Sequence, residues 1–147
     1  MPDGAKEAFD FFVGTTWTKE QSAGLVANIE AESNFNFRAV GDGGTAFGLC
    51  QWHPDRQRNF QQQFGKNMRD SSFSEQLQFV NFELRQGTEQ RAGRLLSQAE
   101  TAQDAGEIVC SQYERPEDPD GHVRRHRGER AAELLSALEG DPPDKAG

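Results

Sequence analysis

The sequence is poor in cysteine, in basic residues and in long apolar runs. Two cysteines, Cys50 and Cys110, are too few for a disulfide framework, so we expect two buried thiols or one bridge. Sixteen basic residues against 24 acidic ones give a net charge of −8, which argues against a nucleic-acid partner. No run approaches the roughly 18 apolar residues of a membrane span, and no signal peptide is expected at the N-terminus.

What the chain does contain is phenylalanine. Eleven of its 147 residues are Phe, and each can bury a large apolar area. The length suits one domain with one hydrophobic core. We therefore expect a small folded core rich in Phe, although 27% of the residues are charged.

The spacing of apolar residues predicts a mainly α fold built of short helices. Thr18 and Gln21 form a capping-box pattern, Pro54 suits a first helical turn, and Ser74 and Gly87 are expected to bound a helix. The segment 34–51 looks like a loop with a short hairpin near "GDGGTAFG", the one small β or irregular element. The predicted helices cover residues 5–13, 18–33, 54–65, 74–87, 88–99, 101–114 and 121–138.

Two carboxylates, Glu30 and Glu32, close the second predicted helix. At about 100° per residue, Glu32 falls near the edge of the apolar sector that contains Ile29, whereas Glu30 points further round. Partial burial of Glu32 would favour its protonated form, which a general acid needs. The alternative is that both are solvated surface glutamates.

The glycine-rich loop that follows suits the wall of a cleft, because glycine lets the backbone approach a ligand closely. Asp42 lies in this loop and could face Glu32 across the cleft. Asn34 and Gln51 offer neutral amides, and no basic residue lies between Arg38 and His53. These features favour a carbohydrate ligand over a phosphate. Flat faces for sugar rings could come from three aromatic residues, for which burial in the core is the commoner role: Phe37, Phe47 and Trp52.

The segments "EAESNFNFRAV" and "GDGGTAFGLCQWHPDR" resemble the phage tail lysozyme family and, more remotely, soluble lytic transglycosylases and goose-type lysozymes. The resemblance continues through "SEQLQFVNFELRQGTE" and "YERPED", so it covers almost the whole chain. It implies a lysozyme-like catalytic domain over residues 1–139, with a small β or irregular element after the catalytic helix. Residues 140–147 would then be a flexible tail or linker stub.

The resemblance also implies roles for individual residues. Glu32 matches the general acid of the family, and Asp42 matches the loop carboxylate that helps the attacking water in goose-type lysozymes. The sequence departs from the goose-type pattern at His53, where those enzymes have a second aspartate that Asp55 could replace. The expected substrate-binding residues are Ser33, Asn34, Phe47, Gly48, Gln51, Trp52 and Tyr113.

The implied activity is a muramidase that hydrolyses the β-1,4 bond between N-acetylmuramic acid and N-acetylglucosamine of peptidoglycan. The alternatives are a lytic transglycosylase that forms 1,6-anhydromuramic ends and a non-catalytic glycan-binding tail module. No metal or cofactor is required. The expected partner is the glycan strand, met in the periplasm or cell wall after delivery by a virion tail or other secreted assembly, with no nucleic acid and no membrane insertion.

Two other enzyme classes have weaker support from the sequence. His122 and His126 lie four residues apart on a predicted helix, as zinc ligands often do, but no HExxH pattern is present. Cys50 and His53 could form a cysteine-hydrolase pair.

Overall fold

The structure is a computed structural model that describes residues 3–139, so the predicted tail at 140–147 lies outside the described residues. Residues 3–139 fold into seven α-helices and one two-stranded sheet, which confirms the mainly α prediction. None of these helices is long and apolar enough to cross a membrane. The helices are α1 (Asp3–Gly14), α2 (Lys19–Ser33), α3 (Pro54–Phe64), α4 (Phe73–Arg85), α5 (Gln90–Ser97), α6 (Ala102–Ile108) and α7 (His122–Glu139).

Local sequence signals set most helix boundaries. The predicted capping box is present at the start of α2, where Thr18 and Gln21 exchange hydrogen bonds of 3.0 Å. Pro54 begins α3, and Gly65 ends it in the left-handed region at φ 75°. The predicted cap at Ser74 is wrong. Ser72 caps α4, because only Ser72 has a glutamate, Glu75, three residues later to complete a capping box.

The predicted helix over 101–114 is present but not uniformly α-helical. Thr101 caps α6 as a side-chain acceptor, and the chain changes after Ile108 into a π-helical turn, Val109–Glu114. This π turn ends at Arg115, whose N–H donates to the carbonyl of Cys110 at 2.7 Å. A wide turn of this kind redirects side chains relative to an α-helix.

Helix α2 runs through the middle of the fold and packs against α1, α6 and α7. Gly24 makes the contact with α6 close, because a Cβ there would lie 2.6 Å from the backbone of Ala105. Gly106 does the same between α6 and α7, where a Cβ would lie 2.7 Å from the carbonyl oxygen of Arg127. The close packing of α7 on α2 brings the arginines of α7 to the C-terminal end of α2.

The predicted hairpin is confirmed between α2 and α3. Strands β1 (Val40–Gly41) and β2 (Ala46–Phe47) pair antiparallel, with a 3₁₀ turn, Asp42–Gly44, at the tip. The buried amide of Gln76 on α4 fixes the surrounding loop, since it accepts from the Leu49 N–H and donates to the Phe37 carbonyl, both at 2.9 Å. The hairpin therefore lies in a fixed place beside the end of α2.

Both cysteines are free thiols buried in the fold. This outcome confirms the two-thiol alternative for Cys50 and Cys110 and excludes the bridge in this structure.

Candidate active site

One strongly polar cavity of about 530 Å³ opens beside the C-terminal end of α2. Its walls come from α2, the β1–β2 hairpin, the start of α3 and the segment after the π turn. Glu32, Asp42 and Gln51 therefore come together in one place, as the sequence predicts. The cavity is lined by Glu32, Asp42, Cys50, Gln51, His53, Arg56, Glu114, Arg115, Pro116 and Glu117.

The two acids at the end of α2 differ in how α7 holds them. Arg130 binds Glu30 through both carboxylate oxygens, at 2.7 and 2.9 Å. Arg127 makes one hydrogen bond of 3.2 Å to Oε2 of Glu32 and a shorter one of 2.7 Å to Asn28. Of the two, only Glu32 lines the cavity, and its Oε1 accepts no hydrogen bond from residues 3–139, whereas both oxygens of Glu30 are held by Arg130.

Asp42 lies at the mouth of the cavity and faces His53. Oδ2 of Asp42 is 3.1 Å from Nε2 of His53, and both side chains are more than half exposed. The backbone of Asp42 is left-handed, at φ 50°, a conformation that aspartate tolerates better than most residues. The structure thus pairs Asp42 with His53, the residue at which the sequence departs from the goose-type pattern.

Gln51 lines the cavity but is already hydrogen bonded to the loop. Its Nε2 donates to the carbonyls of Ala39 and Gly48, at 3.0 and 2.9 Å. Its Oε1 accepts no hydrogen bond from residues 3–139, so this oxygen can accept one from a ligand hydroxyl or amide.

Six of the seven expected substrate-binding residues lie outside this cavity, and three of the six lie at the end of α2 or in the loop that follows it. Ser33 donates back to the carbonyl of Ile29, and Asn34 is the exposed left-handed cap of α2. Gly48 is left-handed at φ 89°, and a Cβ there would lie 2.8 Å from Oε1 of Gln76 and 3.1 Å from the Trp52 ring. These residues shape the loop, and none of them lines the cavity with Glu32.

Of the aromatic residues expected near the substrate, Phe47, Trp52 and Tyr113 are buried in the core. Phe37 is half-buried, with its ring edge-on to Phe73. Phe47 is covered by Arg69, whose guanidinium lies 4.8 Å from the ring centroid. Trp52 and Tyr113 are each 1% exposed and direct their polar atoms to Glu83. None of these rings presents a face to a sugar in this structure.

Glu83 on α4 is a buried carboxylate that the sequence analysis missed. Its Oε1 accepts from Trp52 Nε1, Tyr113 Oη and Arg56 Nη2, at 2.9, 2.5 and 2.8 Å, and its Oε2 accepts from Arg56 Nε at 2.7 Å. Arg56 also stacks on the Tyr113 ring at 4.5 Å. This cluster ties α3, α4 and the π turn together directly behind the cavity.

Glu114 is a second carboxyl that sequence reasoning missed. It ends the π turn, lines the cavity and has a buried Oε2 with no hydrogen-bond partner among residues 3–139. Burial and, next, the nearby charge of Glu32 raise the pKa of Glu114 well above its ordinary value, against the opposing effects of Arg56 and Arg127. A glutamate with these surroundings stays protonated at a pH where surface glutamates are ionised.

The other predicted pairs do not form catalytic centres in the described residues. Burial raises the pKa of the Cys50 thiol well above its ordinary value, which disfavours the thiolate that a cysteine hydrolase needs. His122 and His126 have ring centroids 4.3 Å apart on α7, yet residues 3–139 hold no cluster of three or more groups placed to bind a metal ion.

No curated protein sequence matches the chain. A family model described as phage tail lysozyme matches residues 3–138, nearly the whole chain.

Proposed function

The chain belongs to the phage tail lysozyme family, and we propose that its polar cavity hydrolyses the β-1,4 bond between N-acetylmuramic acid and N-acetylglucosamine. Membership of this family indicates a lysozyme-like enzyme that acts on peptidoglycan. The observation that carries the finer proposal is the single cavity that holds Glu32 and Asp42 together.

Glu32 is the general acid in this proposal. It donates a proton to the glycosidic oxygen as the C–O bond breaks, while positive charge develops on the sugar ring. Its neighbour Glu30 cannot take this role without losing the two hydrogen bonds from Arg130. The Arg127 contact holds the carboxyl of Glu32 toward α7 and leaves its other oxygen to meet the substrate.

Asp42 is the proposed base. In an inverting hydrolase a second carboxylate activates water on the face of the ring opposite the acid. The adjacent imidazole of His53 can accept the proton that Asp42 takes from water, because their polar atoms are within hydrogen-bond distance. This pairing supports a catalytic role for His53, at the position where the sequence departs from the goose-type pattern.

Transglycosylation remains the alternative reaction. There the 6-hydroxyl of the muramic acid attacks in place of water, Glu32 acts first as acid and then as base, and Asp42 is not needed. The exposure of Asp42 favours this alternative, because a base at the open mouth is poorly shielded from solvent. A non-catalytic glycan-binding tail module is the third possibility, and the presence of Glu32 in the cavity argues against it.

The glycan strand is the proposed partner, in the periplasm or cell wall. A net charge of −8 does not favour free diffusion to an anionic wall, which fits delivery within a tail or other secreted assembly.

Asp42→Asn tests the proposed base. We expect solubilisation of purified peptidoglycan to fall about a hundredfold, within the range that general base catalysis contributes. The matched control is Asp55→Asn. Asp55 is exposed at the start of α3 and does not line the cavity, so it is not placed to replace the goose-type aspartate and its loss should leave the rate unchanged. A fully active Asp42→Asn protein, or an equal loss in Asp55→Asn, would remove Asp42 from the mechanism.

A further inference from the structure

The carboxyl of Glu114 has a place in the cavity and no role in the mechanism described so far. Its Oε2 is buried and lacks a hydrogen-bond partner within residues 3–139, an arrangement that costs folding free energy. The π turn delivers this side chain to the cavity wall that Glu32 also lines. A buried carboxyl without a partner lowers the stability of the fold, and destabilising groups of this kind are found mainly at functional sites.

Charged neighbours surround Glu114 but are engaged elsewhere. Arg56 gives two hydrogen bonds to Glu83, and Arg127 donates to Asn28 and Glu32. Against the larger raising effects of burial and of Glu32, the neighbouring Cys50 thiol lowers the pKa of Glu114. The remaining titratable or charged groups on the cavity wall are Asp42, His53, Arg115 and Glu117.

Two carboxyl groups that share one site resist double ionisation, so the pair keeps a proton to a higher pH than either group alone. The buried member holds that proton in the resting state, because ionisation costs it more. Burial and the charge of Glu32 both raise the pKa of Glu114, whereas Glu32 has a cationic partner in Arg127. Glu114 is therefore the carboxyl of this cavity whose surroundings favour keeping a proton at rest.

We propose that Glu114 stores the proton that Glu32 delivers to the glycosidic oxygen, an inference that rests on the proposed function of Glu32. When substrate fills the cavity, the O–H bond of Glu114 breaks and an O–H bond forms on Glu32. The negative charge moves to Glu114, where Arg56 and Arg127 offset it. Glu32 then protonates the leaving oxygen, and solvent returns one proton to the pair after each turnover. Glu114 acts through Glu32, so it is a positioning residue and not a catalytic one.

The test is the pH profile of Glu114→Gln. Glutamine keeps the shape of the side chain but cannot give up a proton, so Glu32 must take its proton from solvent, where protons become scarcer as the pH rises. We expect near wild-type solubilisation of peptidoglycan at about pH 5 and a loss of tenfold or more at about pH 7, which moves the alkaline limb of the profile to lower pH. Glu129→Gln on the exposed face of α7 is the control and should leave the profile unchanged.

A purely structural role for Glu114 would give a different result. A loss of equal size at both pH values, or a wild-type profile, would overturn the proposal.

The pH dependence of stability also distinguishes a proton-storing role of Glu114 from a structural one. A carboxyl with a raised pKa binds its proton more tightly in the folded state, so it reduces stability as pH rises above about 4.3, the ordinary value for glutamate. Glu114→Gln should therefore melt no lower than the wild type at pH 7.

A measurement on the wild-type protein removes any dependence on how the variant folds. In protein labelled with ¹³C at the glutamate carboxyls, NMR titration should show one glutamate that keeps its proton at a pH where the exposed glutamates are ionised. This signal should be absent from Glu114→Gln spectra. Ionisation of every glutamate below about pH 5 would overturn the proposal. An inactive wild type, or an active Glu32→Gln protein, would instead defeat the proposed function, so the two failures are distinguishable.

Discussion

Replacing Glu32 by glutamine should lower peptidoglycan cleavage at least about a hundredfold. Glutamine keeps the size of the side chain and can still accept the hydrogen bond from Arg127, so the fold should persist. What it loses is the proton that the glycosidic oxygen must receive. Release of soluble fragments from purified peptidoglycan gives the rate, and a thermal melt checks that the protein is folded.

Glu30→Gln is the matched control, two residues away on the same helix. It weakens the Arg130 pair, which lies partly exposed on the surface between α2 and α7, and should leave the rate nearly unchanged. If both variants lost activity equally while remaining folded, the assignment of Glu32 over Glu30 would be wrong.

The largest effect on stability is expected at Glu83. Glu83 is 1% exposed and is the counter-ion of Arg56, which is itself largely buried. Glu83→Gln leaves that guanidinium without a compensating charge, which costs about 3–5 kcal/mol of unfolding free energy in comparable buried pairs. Urea unfolding at neutral pH measures the change.

An exposed ion pair provides the comparison for Glu83. Glu133→Gln removes one of the two carboxylate partners of Arg130, on the surface of α7, and should cost less than about 1 kcal/mol. Replacing Glu83 and Arg56 together by methionine should recover much of the loss, because neither charge is then left buried alone. A Glu83→Gln protein as stable as Glu133→Gln would show that the buried cluster does not hold α3 and α4 together.

Much of the fold could be predicted because its signals are local. The capping box at Thr18, the proline at the start of α3 and the glycine at its end each act within one helical turn. The same helical periodicity separates Glu32 from Glu30. The cap of α4 could have been placed correctly at Ser72 by requiring the glutamate three residues later, which Ser74 lacks.

The rest of the site depends on contacts between distant segments. Glu83 lies on the apolar stripe of α4 with Val80, a position that signals a buried ion pair, but its partners are 27 to 31 residues away. Glu114 is harder to find, since the π turn rotates it away from the direction that an α-helical wheel gives. The burial of Phe47, Trp52 and Tyr113 follows from their size, which makes core packing the commoner role of such rings.

Mass spectrometry of the fragments released by the wild-type protein from purified peptidoglycan tests the central claim most directly. Hydrolysis adds water across the bond, so each new muramic acid end is one water heavier than the anhydro end that a transglycosylase leaves. We predict reducing muramic acid ends, lost in Glu32→Gln and strongly diminished in Asp42→Asn. Anhydromuramic ends that persist in Asp42→Asn would contradict hydrolysis and leave Glu32 as the acid and base of a transglycosylase.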